Sequence, residues 1–180
     1  MTGVFVETWK RVQNMDIVAL SGGVLVGRLD DFQFDLDDWN IYGWRVKGQG
    51  MFAPTGGLRA SEVTLIGRDV VLITGDSEIE WSGSKPGAID GRAWASGYCG
   101  MEIVNRRGAQ LGVVKDFVVE STGSRVTGFI LNADRMLILN DDVKTGPDVV
   151  ICKRSDLVMD MPQDDQKDNW WARIRDSLQI

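Results

Sequence analysis

Short apolar runs separated by turn-forming residues recur along the 180-residue chain. They are clearest in the C-terminal half, at 103–104, 111–114, 117–120, 126–131, 136–139 and 149–152. The segments between them are rich in Gly, Asn, Asp, Ser and Pro. Short runs bounded by such residues are typical of β-strands joined by tight turns. The pattern therefore predicts a mainly β protein.

The strand pattern occurs twice. At a displacement of 85 positions the identical pairs are Gly23 with Gly108, Gly27 with Gly112, Asp31 with Asp116, Phe32 with Phe117 and Gly43 with Gly128. From Gly67, which pairs with Gly146, the displacement is 79, so the first copy holds six additional residues. We expect the insertion in the loop at 48–59. Matches at a fixed displacement indicate an internal duplication.

Each copy is too rich in short strands to leave its sheet edges open without a risk of aggregation, so we expect closure into a small β-barrel. Gly27 and Gly112 fall in the middle of predicted strands, where glycine is typical of a bulge or sharp bend. Asp31 and Asp116 follow four residues later. We interpret them as structural residues that accept hydrogen bonds from turn amides, with a catalytic role as the alternative.

The predicted organisation has four segments. Residues 1–74 form the first barrel, 75–99 an ordered Gly/Ser-rich linker, 100–160 the second barrel, and 161–180 a C-terminal tail with a short amphipathic α-helix. Because each barrel alone buries a modest fraction of its surface, we expect the two to share an interface, within the chain or by exchange in a dimer.

The order Gly-x-x-x-Gly-x-x-x-Asp-Phe, a hairpin, a strand and then Gly-x-Asp-Val-Val resembles the PRC-barrel family. The resemblance covers about 16–74 and 100–158 and is stronger in the second copy. The first copy departs from the pattern with Ser-Gly-Gly at 21–23, with Trp39 and Trp44, and with its longer loop.

The resemblance implies a binding or assembly role and supplies no catalytic residues. The family is named for the H subunit of the photosynthetic reaction centre. A similar barrel forms the C-terminal domain of a ribosome maturation factor. Fold alone does not identify a partner.

The composition argues against several classes of function. The chain has a formal net charge of −6 and no basic stripe, which argues against nucleic acid as the ligand. It contains no histidine, which removes the common nucleophile–histidine systems and His-ligated metal sites. The acidic turn at 35–40 lacks the glycine and glutamate of a calcium loop. We therefore predict no enzyme activity, no cofactor and no metal.

We also predict a cytoplasmic location. No signal peptide or membrane-spanning run is visible, and Cys99 and Cys152 have no CxxC spacing, as expected for two reduced thiols. Whether these cysteines lie close together is left open.

Two aromatic regions are the candidates for partner binding. The first consists of Trp39, Tyr42, Trp44 and Phe52; if strand alternation places Tyr42 and Trp44 on one face, something must cover that face, either the rest of the chain or a partner. The second lies in the tail, where Trp170, Trp171, Ile174 and Leu178 follow a predicted N-cap at Asp168. Three roles for that helix are open from the sequence: it covers its own barrel, it docks on a partner, or it touches a membrane surface.

The resulting hypothesis is a non-catalytic scaffold or adaptor that binds a protein partner through these residues. The alternatives are a regulator or assembly factor of a membrane complex of the electron-transfer type, and a ribosome-assembly factor that binds a ribosomal protein. Direct membrane contact is not expected. Both a monomer and a homodimer are compatible with the sequence.

Overall fold

The computed structural model describes residues 6–81 and 91–162. The chain is mainly β and folds into two curled sheets of similar size, which confirms the predicted fold class. The predicted C-terminal helix lies outside the described residues. Among the helices within the described ranges, none is long and apolar enough to cross a membrane.

The described strands, in chain order, are β1 (Val6–Thr8), β2 (Asp16–Ala19), β3 (Val24–Asp35), β4 (Ile41–Lys47), β5 (Thr55–Arg59), β6 (Val63–Ile66), β7 (Val70–Ile73), β8 (Glu80–Trp81), β9 (Arg92–Trp94), β10 (Glu102–Asn105), β11 (Gln110–Glu120), β12 (Val126–Leu131), β13 (Arg135–Ile138), β14 (Val143–Thr145), β15 (Val150–Cys152) and β16 (Val158–Asp160). The described helices are α1 (Trp9–Val12) and α2 (Ala95–Tyr98), with 3₁₀ turns at Ala60–Glu62, Asp76–Glu78 and Ser155–Leu157.

The two sheets have the same topology. The first has the order β6-β7-β2-β3-β4-β5-β8, with β9 also paired to β3. The second has the order β14-β15-β10-β11-β12-β13-β16, with β1 also paired to β11. Each strand of one sheet has a counterpart at the same place in the other, as a duplication predicts. The extra residues of the first copy lie between β4 and β5, in the predicted region.

A long central strand curls each sheet. β3 and β11 each pair with neighbours on both sides and carry bulges, at Val26 and Asp30 in β3 and at Leu111 and Lys115 in β11. Bulges bend a strand and increase its twist, which lets one strand serve both walls of a barrel. Gly27 lies beside the first bulge. A side chain there would place its Cβ 2.7 Å from the Lys47 carbonyl oxygen, so the predicted need for glycine has a direct steric cause.

The two sheets exchange strands. β1 is antiparallel to β11 of the second sheet, and β9 is antiparallel to β3 of the first. The sequence predicts residues 6–8 in the first barrel, but they pair with the second sheet. It predicts residues 92–94 in the linker, but they pair with the first sheet. The barrels are therefore joined within one chain by reciprocal pairing as well as by packing.

The hairpins of the two sheets also meet. Ile41 N donates to Ser124 O over 2.8 Å, and the equivalent Val126 N donates to Trp39 O over 2.9 Å. The molecule thus has an approximate two-fold relation between its halves.

The larger hydrophobic core cluster runs through both barrels. At its centre the equivalent residues Phe32 and Phe117 meet edge to face with ring centroids 5.4 Å apart, a favourable aromatic geometry. Trp9 contacts both rings at about 6 Å. Neither barrel has a separate interior.

Candidate binding surface

Two of the predicted partner-binding residues are inside the molecule. Trp39 is 6% exposed and Trp44 is 2% exposed. Trp39 Nε1 donates to Thr145 Oγ1 over 3.2 Å, and Trp44 Nε1 donates to the Gly123 carbonyl over 3.0 Å. Both acceptors belong to the second half. These tryptophans therefore join the two barrels, and they are not available on the surface of this chain.

Simple alternation along β4 is wrong, because Tyr42 and Trp44 do not share a face. Gln33 pairs with Gly43, whereas Phe34 pairs with Ile41, so Tyr42 is the extra residue of a bulge. The bulge turns Tyr42 outward, where it is 56% exposed, and leaves Ile41 and Trp44 in the core. The Arg92 guanidinium lies 3.7 Å from the centroid of the Tyr42 ring, a cation–π contact.

The insertion loop, residues 48–54, carries the most exposed apolar side chains of the described residues. Met51 is 92% exposed and Phe52 is 95% exposed. Gln49 Nε2 donates to the Leu25 carbonyl over 2.8 Å and ties the loop to the hairpin before β3. Leu25 is itself exposed, so the loop and the hairpin form one apolar tip.

A groove crosses the outer face of the first sheet. It has a volume of about 210 Å³, and we call it the Gly57 groove. Its lining residues are Gln33, Tyr42, Gly43, Trp44, Arg45, Gly57, Leu58, Arg59, Glu78, Glu80 and Trp94. A Cβ placed on Gly57 would meet no atom within 4 Å, so the absence of a side chain at this position leaves the space open.

The same face of the second sheet is filled. Met136 occupies the position equivalent to Gly57 and is 1% exposed. With Val118 it forms a small apolar cluster, which also contains Val6, Ile130, Ile138, Met159 and Met161. The equivalents in the first sheet are polar or lack a side chain, with Gln33 in place of Val118 and Arg45 in place of Ile130.

Gln33 is the unusual residue of the groove. Its side chain is buried, and its Nε2 has no hydrogen-bond partner. A buried donor without a partner costs about 1–3 kcal/mol of stability. Nearby, Arg45 stacks on Trp94 at 5.1 Å, and its Nε is 2.5 Å from Asp30 Oδ2. The charge of Arg45 is therefore already neutralised by the chain.

A wider cleft of about 480 Å³ adjoins Tyr42 and Arg92. The acidic turn at 35–40 forms one side of it. Asp35 Oδ1 accepts from the amides of Asp37 and Asp38, and Asp38 accepts from Asn40, so these carboxylates organise the hairpin turn. Within residues 6–81 and 91–162, no three His, Cys, Asp or Glu side chains are grouped as metal ligands.

The duplicated aspartates are structural contacts between the halves. Asp31 Oδ1 accepts from Ser96 N in α2, and Asp116 Oδ1 accepts from Lys10 N in α1, each over 3.1 Å. Each also accepts from the next residue of its own strand. Both aspartates accept hydrogen bonds from backbone amides, and half of those amides come from the short helices α1 and α2 rather than from the turns of their own strand. Neither aspartate lines the Gly57 groove or the wider cleft.

The environments of the two corners differ in charge. At the first, burial raises the pKa of Asp30, but hydrogen bonds from Lys47 and Arg45 outweigh it and hold the pKa below its usual value. At the second, burial raises the pKa of Asp116, and the amides of Phe117 and Lys10 offset this effect in part. Asp116 has no cationic side chain equivalent to Arg45, because Ile130 occupies that position.

The remaining predictions concern the cysteines and the tail. Cys99 and Cys152 are free, and burial raises the pKa of both thiols. Trp170, Trp171, Ile174 and Leu178 lie outside the described residues, and their predicted role stays a prediction. The sequence reasoning missed the Gly57 groove. The repeat alignment already contained its signal, since it places Gln33 over Val118 and Gly57 over Met136.

Comparison with known proteins finds a family match in the second half of the molecule. Residues 95–159 match the family model described as the PRC-barrel domain, and this match covers α2 and all of β10–β15. A search of curated proteins finds no match. The first sheet has the same strand order as the matched region but lies outside the match. Residues 95–159 are therefore similar in sequence to the PRC-barrel domain.

Proposed function

We propose that the chain is a non-catalytic protein-binding module that docks on its partner through the insertion loop. The observation that carries the proposal is the exposure of Phe52, 95%, in a loop with no counterpart in the second half. The core does not need this side chain. A solvent-exposed apolar tip is costly to solubility, and such tips are typical of interaction sites.

The shape of the tip favours a protein partner. Phe52 and Met51 project from a loop whose backbone is tied to the hairpin before β3 by the hydrogen bond from Gln49 to the Leu25 carbonyl. Aromatic anchors held in this way contribute much of the affinity at protein interfaces. The net charge of −6 disfavours nucleic acid.

The proposal that the chain is not an enzyme rests on where its perturbed groups lie. Asp116 and Tyr98 both have pKa values raised by burial, yet neither lines the Gly57 groove or the wider cleft beside Tyr42. Functional acids and bases combine a shifted pKa with access to substrate. PRC-barrel domains are small barrel modules and are generally non-catalytic.

The test is affinity purification of the full chain from its native cell, with mass spectrometry of the bound proteins. Three baits are compared: the natural chain, Phe52→Ser, and Ile151→Ser as a matched control. Ile151 is an exposed apolar residue of β15, 40% exposed. We expect Phe52→Ser to lose the bound proteins that Ile151→Ser retains. The same proteins on all three baits would remove the insertion loop from the proposal.

The bound proteins also decide between the biological settings. Subunits of a membrane complex would favour the regulator or assembly factor, and ribosomal proteins would favour the ribosome-assembly factor. A full-length variant with Trp170→Ala and Trp171→Ala tests the tail in the same experiment. Loss of the partner there, with Phe52 intact, would make the tail the docking element.

A further inference from the structure

We propose that the Gly57 groove is a second binding site, which accepts a peptide segment of a partner protein with an unbranched apolar side chain, methionine above all. The site goes beyond the proposed function, because no residue of the insertion loop lines the groove.

The second sheet shows which side chain this face of the fold accommodates. Met136 occupies the position equivalent to Gly57 and is buried among apolar neighbours, with Met159 and Met161 packed against it. Gly57 leaves the equivalent position without a side chain, and a Cβ placed there would meet no atom within 4 Å, so the position that Met136 fills in the second sheet is open in the first. Methionine is unbranched and adapts to irregular spaces, so a methionine from a partner suits this groove.

Size and charge support a peptide side chain as the occupant. The volume of about 210 Å³ is smaller than the roughly 300–1,000 Å³ of typical small-molecule sites. The charges that line the groove are largely balanced, since Arg45 pairs with Asp30 and Asp31, and Arg59 lies 3.7 Å from Glu80. An uncharged side chain therefore fits better than an acidic or basic one.

Gln33 supplies the polar contact. Its buried Nε2 has no partner, although the side chain lines the groove. A backbone carbonyl next to the inserted side chain would give this amide an acceptor after a rotation about its last side-chain bond. Groups that stay unpaired in the free protein and become paired in a complex provide specificity as well as affinity.

The experiment is an NMR titration of the full ¹⁵N-labelled chain. The probe is the capped peptide acetyl-Ala-Ala-Met-Ala-Ala-amide, and the matched probe has alanine in place of methionine. We expect saturable shifts of the Gln33 side-chain amide and the Trp94 indole N–H with the methionine peptide, and at least tenfold weaker binding of the alanine peptide.

Two variants locate the site. Gly57→Met fills the groove as Met136 fills its equivalent, and is expected to weaken binding at least tenfold with an unchanged circular dichroism spectrum. Ile151→Ser is the control and is expected to bind the peptide as the natural chain does, because Ile151 is exposed on the second sheet and does not line the groove. Loss of partner capture by Phe52→Ser, described above, tests the insertion loop separately from the groove. If Gly57→Met does not fold, Gln33→Val takes its place and is also expected to weaken binding.

Several results would overturn the proposal. These are the absence of saturable shifts, equal affinity for the two peptides, and undiminished binding by the folded groove variant. Concentration-dependent shifts of Gln33 and Trp94 without peptide would identify a second copy of the chain as the occupant. Nuclear Overhauser contacts from Trp170 or Trp171 to Trp94 in the free protein would identify the chain's own tail.

Discussion

The two sheets share one topology but differ in the packing of their outer faces. The second sheet closes its face with Met136 and Val118, whereas the first leaves a groove over Gly57 and Gln33. The corners differ in the opposite sense, because Asp31 forms an ion pair with Arg45 in the first sheet, whereas Ile130 stands at the Arg45 position beside Asp116 in the second. The outer face of the second sheet is thus closed by apolar packing, whereas the first sheet keeps a groove lined by Gln33, whose Nε2 has no partner, and by ion-paired Arg45.

The largest expected effect tests whether the halves are independent at all. Replacing Trp44 by Ala removes a buried ring and its hydrogen bond to Gly123, and we expect a loss of about 3–5 kcal/mol in the free energy of unfolding. Because the core is shared, denaturant unfolding followed by circular dichroism is expected to remain a single transition at a lower midpoint.

Tyr42→Ala is the control, since Tyr42 is exposed on the adjacent bulge. We expect it to change the stability by less than about 1 kcal/mol. Two separate transitions in Trp44→Ala would contradict the shared core and make the barrels independent units.

The next largest effect is expected from a substitution that makes the outer face of the second sheet resemble that of the first. Met136→Ala removes most of the buried side chain that fills the apolar cluster, and we expect a loss of about 2–5 kcal/mol in chemical denaturation. The reciprocal Gly57→Met is expected to leave the stability unchanged or to raise it, since a side chain there meets open space. A loss below about 1 kcal/mol in Met136→Ala would mean that the cluster contributes little.

Steric differences between the two strand glycines come next. Gly27→Ala is expected to cost about 1–3 kcal/mol, because the new Cβ meets the Lys47 main chain at 2.7 Å. Gly112→Ala is expected to cost less, since its nearest neighbour is the Leu131 side chain at 3.0 Å, which can move. Thermal unfolding of the two variants side by side gives the comparison. Equal losses would contradict the distinction between backbone and side-chain contacts.

The two corners predict opposite responses to pH. Because burial raises the pKa of Asp116, the folded state binds a proton that the unfolded state has lost, over the interval from the ordinary value of about 3.9 up to the raised value. The contribution of Asp116 to the free energy of unfolding is therefore full below the ordinary value and is lost as pH rises through the raised one.

Asp30 has the reverse behaviour, since its pKa is lowered and its contribution is lost as pH falls below the ordinary value. Asp116→Asn is expected to remove the component that declines with rising pH. The difference in unfolding free energy between this variant and the natural chain, measured across that interval, isolates the effect. A difference that does not vary with pH would show that Asp116 does not titrate there.

The smallest expected effect concerns Gln33. Gln33→Val installs the residue type of the second sheet and removes the unpartnered Nε2, so we expect a gain of about 1 kcal/mol in the free energy of unfolding. Denaturant titration checks it. A loss of stability would mean that the amide has a partner in solution, such as a bound water.

Much of the fold could be predicted from the sequence because the features that determine it are local or occur in both copies. Strand lengths, the displacement of 85 and the mid-strand glycines predicted two barrels, the bulges and the position of the insertion. The exposure of the aromatic residues was not accessible in this way. One bulge at Tyr42 reverses the alternation of β4, and Trp39 and Trp44 are buried by residues about eighty or more positions away. Burial of this kind depends on long-range packing, which a local pattern does not encode.

The exchange of β1 and β9 has a consequence for biosynthesis. β1 is synthesised more than a hundred positions before its pairing partner β11, and β3 is fully paired only after β9 has been synthesised. Domains that complete their own sheets fold one after another as the chain emerges. Here β1 precedes the whole first sheet but pairs in the second, so we expect the two barrels to reach their final pairing together, after β11 has been synthesised.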